Sequence, residues 1–185
     1  GGQGTVLASR IIAQAAMEKG LFARTSETIG MAQRGGCVVS HVRIGETVSP
    51  LIPLGGADVL IGFEPGEALR CLPYLKDGGT VIVSTKVIQP VTASLTGKSF
   101  EGAPFLACLT KQAGHVIVVD GEAICKICGS DKVLNTALLG AAAASGRIGL
   151  SLAEITAVIQ EKLPAKMIAI NEKALQHGAA AAKGE

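Results

Sequence analysis

Residues 58–85 open with Asp58-Val59-Leu60-Ile61-Gly62-Phe63 and close with Thr80-Val81-Ile82-Val83-Ser84-Thr85. Both runs are apolar, rich in β-branched residues and bounded by turn residues, the pattern of strands buried on both faces of a parallel sheet. Glu64 to Leu75 between them reads as a helix, so the stretch is a β–α–β unit. His115 to Val119 adds another apolar strand.

Working outward, Thr5 to Lys19 reads as a helix. Val6, Leu7, Ile11, Ala15 and Ala16 fall near one face, and Gly20 stands as its stop. Leu21 to Ser26 is a short strand candidate, residues 28–36 a loop or broken helix, and Cys37 to Ile44 alternates as a strand. Residues 86–114 carry prolines, glycines and polar residues without a strong period, and read as a loop excursion with short strands. Beyond them Lys132 to Ser145, Leu152 to Leu163 and Ala165 to Gln176 read as helices, with Pro164 suited to the first turn of the last. From Gly178 onward the tail reads as frayed. The expectation is a Rossmann-like α/β fold, a mostly parallel sheet with helices on both faces and a helical C-terminal third. It occupies one domain over 1–178, with a tail at 179–185.

Composition narrows the function. Aromatic residues make up only 3% and Trp is absent, so Ala, Val, Ile, Leu and Gly must fill the core. That palette suits helices packed closely on a sheet. A net charge of +2 with dispersed Lys and Arg does not make a nucleic-acid surface. No apolar run reaches the ~18 residues of a membrane span, and no signal peptide is evident ahead of the domain. Five cysteines, an odd number, argue for reduced thiols and a cytoplasmic location.

Two glycine-bearing segments carry the functional signal. Gly1-Gly2-Gln3-Gly4 opens the first helix, and Gly30-Met31-Ala32-Gln33-Arg34-Gly35-Gly36 runs into the strand at Cys37. Glycine permits positive φ and close approach of a ligand, so Gln33 and Arg34, framed by Gly30 before them and Gly35 and Gly36 after, are displayed rather than buried. Arginine offers a fixed fork of donors matched to phosphate or carboxylate. Equally, Arg34 suits an ion pair with a partner subunit. Gly1, Gly2 and Gly4 suit a phosphate at the helix N-terminus, where free N–H groups and the dipole favour an anion. Glu27 then falls about twenty residues on, where a ribose-binding acid would stand. The plainer alternative is a tight turn that lets the helix pack on the sheet.

With GGQG opening a helix and GMAQRGG leading into Val38-Val39-Ser40-His41-Val42-Arg43-Ile44-Gly45, the chain resembles the gamma-type subunits of 2-oxoacid:ferredoxin oxidoreductases. Within that family GMAQRGG is most similar to the indolepyruvate branch. The resemblance implies oxidative decarboxylation of an arylpyruvate such as indolepyruvate, with coenzyme A (CoA), to an aryl-acetyl-CoA and carbon dioxide, ferredoxin taking the electrons. It implies a large alpha subunit carrying thiamine diphosphate with Mg and iron–sulfur clusters, while this chain assists CoA binding and active-site closure. Gln3 in the first loop is a feature of that family. The resemblance also implies a short apolar strand ahead of Gly1, outside these residues.

The remaining residues are weighed on their chemistry. Glu64, in Glu64-Pro65-Gly66-Glu67 at the carboxyl end of a strand, stands where ligands gather in open α/β sheets. An acid there also stabilises a helix N-terminus. The resemblance favours a ligand role, through a similar acid–proline step. Ser40 and His41 are adjacent in a strand and point to opposite faces, so they do not readily hydrogen-bond as a nucleophile–base pair, and His41 reads as a structural or interface residue. His115 begins a buried strand, and His177 suits a helix C-terminus. Cys125 and Cys128 have redox or metal spacing, but too few further ligands lie nearby for zinc, and they read as ordinary thiols. Cys37 reads as a small residue beside the glycines.

The chain shows neither the Gly-Asp-Gly and Asn signature of a thiamine-diphosphate site nor the closely spaced cysteines of a cluster site. The cofactors of the implied reaction are therefore assigned to the partner. Two other readings remain open: a stand-alone Rossmann-like nucleotide-binding domain, which leaves GMAQRGG unexplained, and a purely structural subunit.

Overall fold

A computed structural model of the chain describes residues 2–29, 36–89 and 101–184. Three parallel strands form its centre, β3 (Ala57–Gly62), β4 (Leu75–Ser84) and β5 (His115–Val119), in the order β3-β4-β5. Residues 80–84 of β4 pair in register with 115–119 of β5. A second, two-stranded sheet joins β1 (Ala23–Ile29) and β2 (Val38–Ile44) in antiparallel pairing.

Side chains alternate between the two faces of the parallel sheet, as the pleat requires. Val59, Ile61, Phe63, Ile82, Ile117 and Val119 join one core cluster. Leu60, Val81, Val83 and Val116 join the other. On the second face lie α2 (Pro65–Cys71), extended by a 3₁₀ turn over Leu72–Tyr74, and α3 (Gly102–Gln112). The first face is covered by α1 (Thr5–Glu18), α4 (Gly121–Cys128), α5 (Leu134–Ala144), α6 (Leu152–Lys162) and α7 (Ala165–Lys183). The α/β class, the parallel strands and helices on both faces match the sequence reading.

Local sequence explains the boundaries. Glu64 caps α2 by accepting from Glu67 N–H at 2.8 Å, and Pro65 follows at the first turn where no N–H is needed. Ser151 and Glu154 form a reciprocal capping box at α6. Asp120 caps α4 through the Ala123 N–H, and Gly129 ends it at φ 70°.

Helix α5 is almost wholly enclosed, with Leu134 through Ala143 buried. It packs against α7 backbone to backbone. A Cβ on Gly140 would strike the Leu175 carbonyl, and one on Gly178 the Ala137 carbonyl. Close approach of this kind replaces side-chain interdigitation with direct van der Waals contact along the two helices.

Three expectations need correction. Residues 102–112, read as part of a loop, form α3: Leu106 and Leu109 sit one turn apart and pack with Ala113 on Val81, Val83 and Val116. Residues 90–100 of that excursion lie outside the described residues. Gly121–Cys128, unassigned by sequence, is α4. The last helix runs on to Lys183, with Gly178 and Ala179 buried, because its small residues dock on α5 instead of fraying.

Candidate functional site

The carboxyl ends of parallel strands are where open α/β sheets gather ligands, and this edge brings several predicted residues together. Gly2 and Gly4 both hold φ of 85°, a left-handed conformation that side-chain-bearing residues adopt only at a cost. At Gly4 space matters too: a Cβ would lie 2.7 Å from Asn135 Nδ2. The loop so formed sets Gln3 to donate through Nε2 to the Phe63 carbonyl at 3.3 Å, tying the start of α1 to the end of β3. Gln3, Thr5, Gly36 and Glu64 all line one cleft.

That cleft, of about 960 Å³, separates β2 from β3. At its mouth Cys37 Sγ donates to Glu67 Oε1 at 3.1 Å, and Arg70 grips Glu67 Oε2 at 3.1 Å through Nε and 2.7 Å through Nη2. The guanidinium holds the Glu67 carboxyl below its ordinary range. The hydrogen bond to Glu67, with burial next, pushes the Cys37 thiol up, so it stays protonated.

Gln33, Arg34 and Gly35, with Gly1, lie outside the described residues. Gly36 flanks that loop and lines the cleft that Gln3 lines. Glu27 meets α1 one turn beyond the glycine loop, where Ser9 Oγ donates to its Oε1 at 3.4 Å. Glu64 serves as the α2 cap while also bordering the cleft.

His41 is buried, accepts from the Ile52 N–H at 3.2 Å on Nδ1, and packs edge-on against Tyr74 with ring centroids 5.4 Å apart. Burial lowers its pKa and holds it neutral. Ser40 points to the other face, as the strand period requires, and its buried hydroxyl finds no partner among the described residues. Cys125 is buried on α4 and desolvation raises its thiol pKa, while Cys128 is half-buried. Among the described residues no three His, Cys, Asp or Glu side chains gather to hold a metal ion, and no helix is long and apolar enough to cross a membrane.

Sequence reasoning missed the Cys37–Glu67–Arg70 cluster and the buried Asn135. Asn135 and Thr136 interrupt an otherwise apolar helix, which was the available signal. Thr136 Oγ1 donates to Asn171 Oδ1 at 2.6 Å, and Asn171 Nδ2 to the Met167 carbonyl at 2.8 Å. These bonds satisfy polar groups that burial would otherwise penalise.

Residues 1–181 match the Pyruvate ferredoxin/flavodoxin oxidoreductase family. The chain belongs to that family. It is similar to the indolepyruvate oxidoreductase subunit IorB of Archaeoglobus fulgidus, 41% identical over 179 residues that cover 96% of this chain and 89% of the relative. The fold is similar to that of the gamma subunit of keto/oxoacid ferredoxin oxidoreductase from Geobacter sulfurreducens. There the TM-score is 0.71 at 24% identity, over 100% of this chain and 95% of the other. It also resembles part of the 2-oxoglutarate:ferredoxin oxidoreductase from Magnetococcus marinus. That match has a TM-score of 0.73 at 21% identity, over 100% of this chain but 30% of that one.

Proposed function

We infer that this chain is the small subunit of a 2-oxoacid:ferredoxin oxidoreductase of the indolepyruvate type. The observation that carries the reading is the 41% identity to an indolepyruvate oxidoreductase subunit over nearly the whole chain. An arylpyruvate and CoA are converted to an aryl-acetyl-CoA and carbon dioxide, and two electrons pass to ferredoxin. Thiamine diphosphate, Mg and the iron–sulfur clusters belong to a large partner subunit, where the keto acid is bound and oxidised. The location is the cytoplasm, in keeping with cysteines that are free among the described residues.

This chain's contribution is to help hold CoA and close the site over it. The free N–H groups at the start of α1, approached through Gly1, Gly2 and Gly4, suit one of the phosphates of CoA. Arg34, displayed with Gln33 between glycines, supplies a charge-assisted donor pair for another. Gln3, Glu27, Gly35, Gly36 and Glu64 shape the surrounding edge. Support also comes from the Magnetococcus marinus enzyme, which has 2-oxoglutarate, CoA and succinyl-CoA bound and contains this fold within a longer chain.

Reconstitution tests the reading. The isolated chain should not reduce ferredoxin or viologen with indolepyruvate and CoA, and should restore turnover when mixed with the large subunit. Turnover by the isolated chain would overturn it, as would full activity of the large subunit without it.

A further inference from the structure

Asn135 stands in the first turn of α5 and is only 2% exposed. A carboxamide carries two N–H donors, and burial penalises donors that stay unpaired. Its polar neighbours are satisfied. Thr136 Oγ1 donates to Asn171 Oδ1 at 2.6 Å, and Asn171 Nδ2 to the Met167 carbonyl at 2.8 Å. Asn135 Oδ1 lies 3.5 Å from Thr136 Oγ1, but Nδ2 donates to no acceptor among the described residues. Among those residues only Ser40 Oγ is both sealed off and unpaired. Nδ2 therefore keeps an opening through which an acceptor can reach it.

The amide is turned toward the glycine loop. Of the Asn135 atoms around Gly4, Nδ2 comes nearest, 2.7 Å from where a Cβ would stand, against 3.0 Å for Cγ and 3.2 Å for Cβ. Gly4 is the N-cap of α1, and that helix has neither a side-chain cap nor an acid in its first turn. No side chain of its first turn neutralises the leading N–H groups or the positive end of the dipole. A buried, unused amide donor thus lies against the N-terminus of a 14-residue helix, and every donor of the set is neutral.

We propose that Asn135 binds the diphosphate of CoA, donating from Nδ2 alongside the leading N–H groups of α1. The inference rests on the proposed function and tells its two phosphate positions apart. Each phosphoryl group of the diphosphate is a diester with a single negative charge, which neutral donors match. The 3′-phosphate is a monoester with about two negative charges at pH 7, and it suits the guanidinium of Arg34. Gln3 and Thr5 line the cleft between β2 and β3, while Gly4 between them does not. The diphosphate therefore sits on the loop at the border of that cleft.

Titration of the assembled complex with CoA, dephospho-CoA and pantetheine tests it. Dephospho-CoA keeps the diphosphate and lacks the 3′-phosphate, and pantetheine lacks both. Asn135→Ala should weaken CoA and dephospho-CoA by the same factor, about tenfold, and pantetheine by less than about twofold. Arg34→Ala should weaken CoA and spare dephospho-CoA. Thermal melts of each complex check folding. Should the alanine variant not assemble, the isosteric Asn135→Asp carries the comparison, with a larger loss because a carboxylate then faces the diphosphate. Equal loss for all three ligands would overturn the proposal and make Asn135 a support of the loop. Loss for CoA alone would also overturn it, by assigning the site to the 3′-phosphate. If Asn135→Ala leaves CoA affinity unchanged while Arg34→Ala lowers it, the inference fails and the proposed function stands. If neither variant changes CoA affinity, the CoA reading fails with it.

Discussion

The interface between α5 and α7 and the cleft between β2 and β3 are opposite solutions to burying a chain poor in aromatic residues. At the first, Gly140 and Gly178 bring two backbones into contact and leave no space for a Cβ. At the second, two strand edges stand apart across about 960 Å³. Leu138 and Leu139 in α5 are fully buried, whereas Phe22 and Val48, in the segments flanking the β1–β2 pair, are 72% and 96% exposed. The closed helical layer is where stability is concentrated. The open edge, where Gln3, Glu64 and Gly36 line one cleft, is where we propose that CoA binds.

The largest effect should follow from violating the closed layer. Gly140→Val should cost at least about 3 kcal/mol, since added volume against a backbone carbonyl has no rotamer in which to escape. In a chain of this size that lowers Tm by roughly 6–12 °C, and a thermal melt reads it directly. A Tm within a degree or two of wild type would mean that α5 and α7 are less tightly joined than the geometry requires.

A smaller loss is expected at the junction of the two regions. Gly4→Ala keeps the chemistry of the loop but forces a positive φ on a residue with a Cβ, 2.7 Å from Asn135 Nδ2. The expected cost is about 1–2 kcal/mol, a fall of roughly 2–8 °C in Tm. Asn135→Ala in the same background should relieve the contact and recover part of the loss, and a double-mutant cycle measures the coupling.

The smallest effect is a pH dependence on the open side. His41 is held neutral in the fold below its ordinary value of 6.5. As pH falls below about 6.5 the unfolded chain takes up the proton first, so the stability His41 contributes is complete above that pH. It is lost as pH falls toward the lowered folded value. Protonation of Nδ1 would also remove the acceptor for Ile52 N–H. Tm measured from pH 8 to pH 5 should therefore fall more in wild type than in His41→Gln. Parallel curves would show that His41 titrates alike in both states.

The contrast also marks what the sequence makes legible. Residues 115–119 and 58–63 read correctly as strands because continuous β-branched runs between turn residues have few other uses, and β5 covers His115–Val119 as expected. Helix α3 escaped because Gly102 and Pro104 resemble loop punctuation, although Pro104 sits in its first turn, where proline is tolerated. At the site, the glycines of the first loop carried their conformational message directly. The pairing of Cys37 with Glu67 and the contact of Gly4 with Asn135 join residues 30 and more positions apart, and no local pattern encodes them.

The central claim is that binding at the open edge is separable from the stability of the closed layer, and CoA titration of Arg34→Ala in the assembled complex tests it most directly. Losing one charge-assisted contact to phosphate should cost about 1.5–3 kcal/mol, or roughly ten- to a hundredfold in apparent CoA affinity. Removing an arginine that the sequence places between glycines should change stability by about 0.5 kcal/mol or less, so thermal melts should nearly superimpose. Arg34→Lys should recover only part of the affinity, since an ammonium keeps the charge and loses the fork. Unchanged CoA affinity with failed assembly would contradict the account and make Arg34 an interface residue of a purely structural subunit.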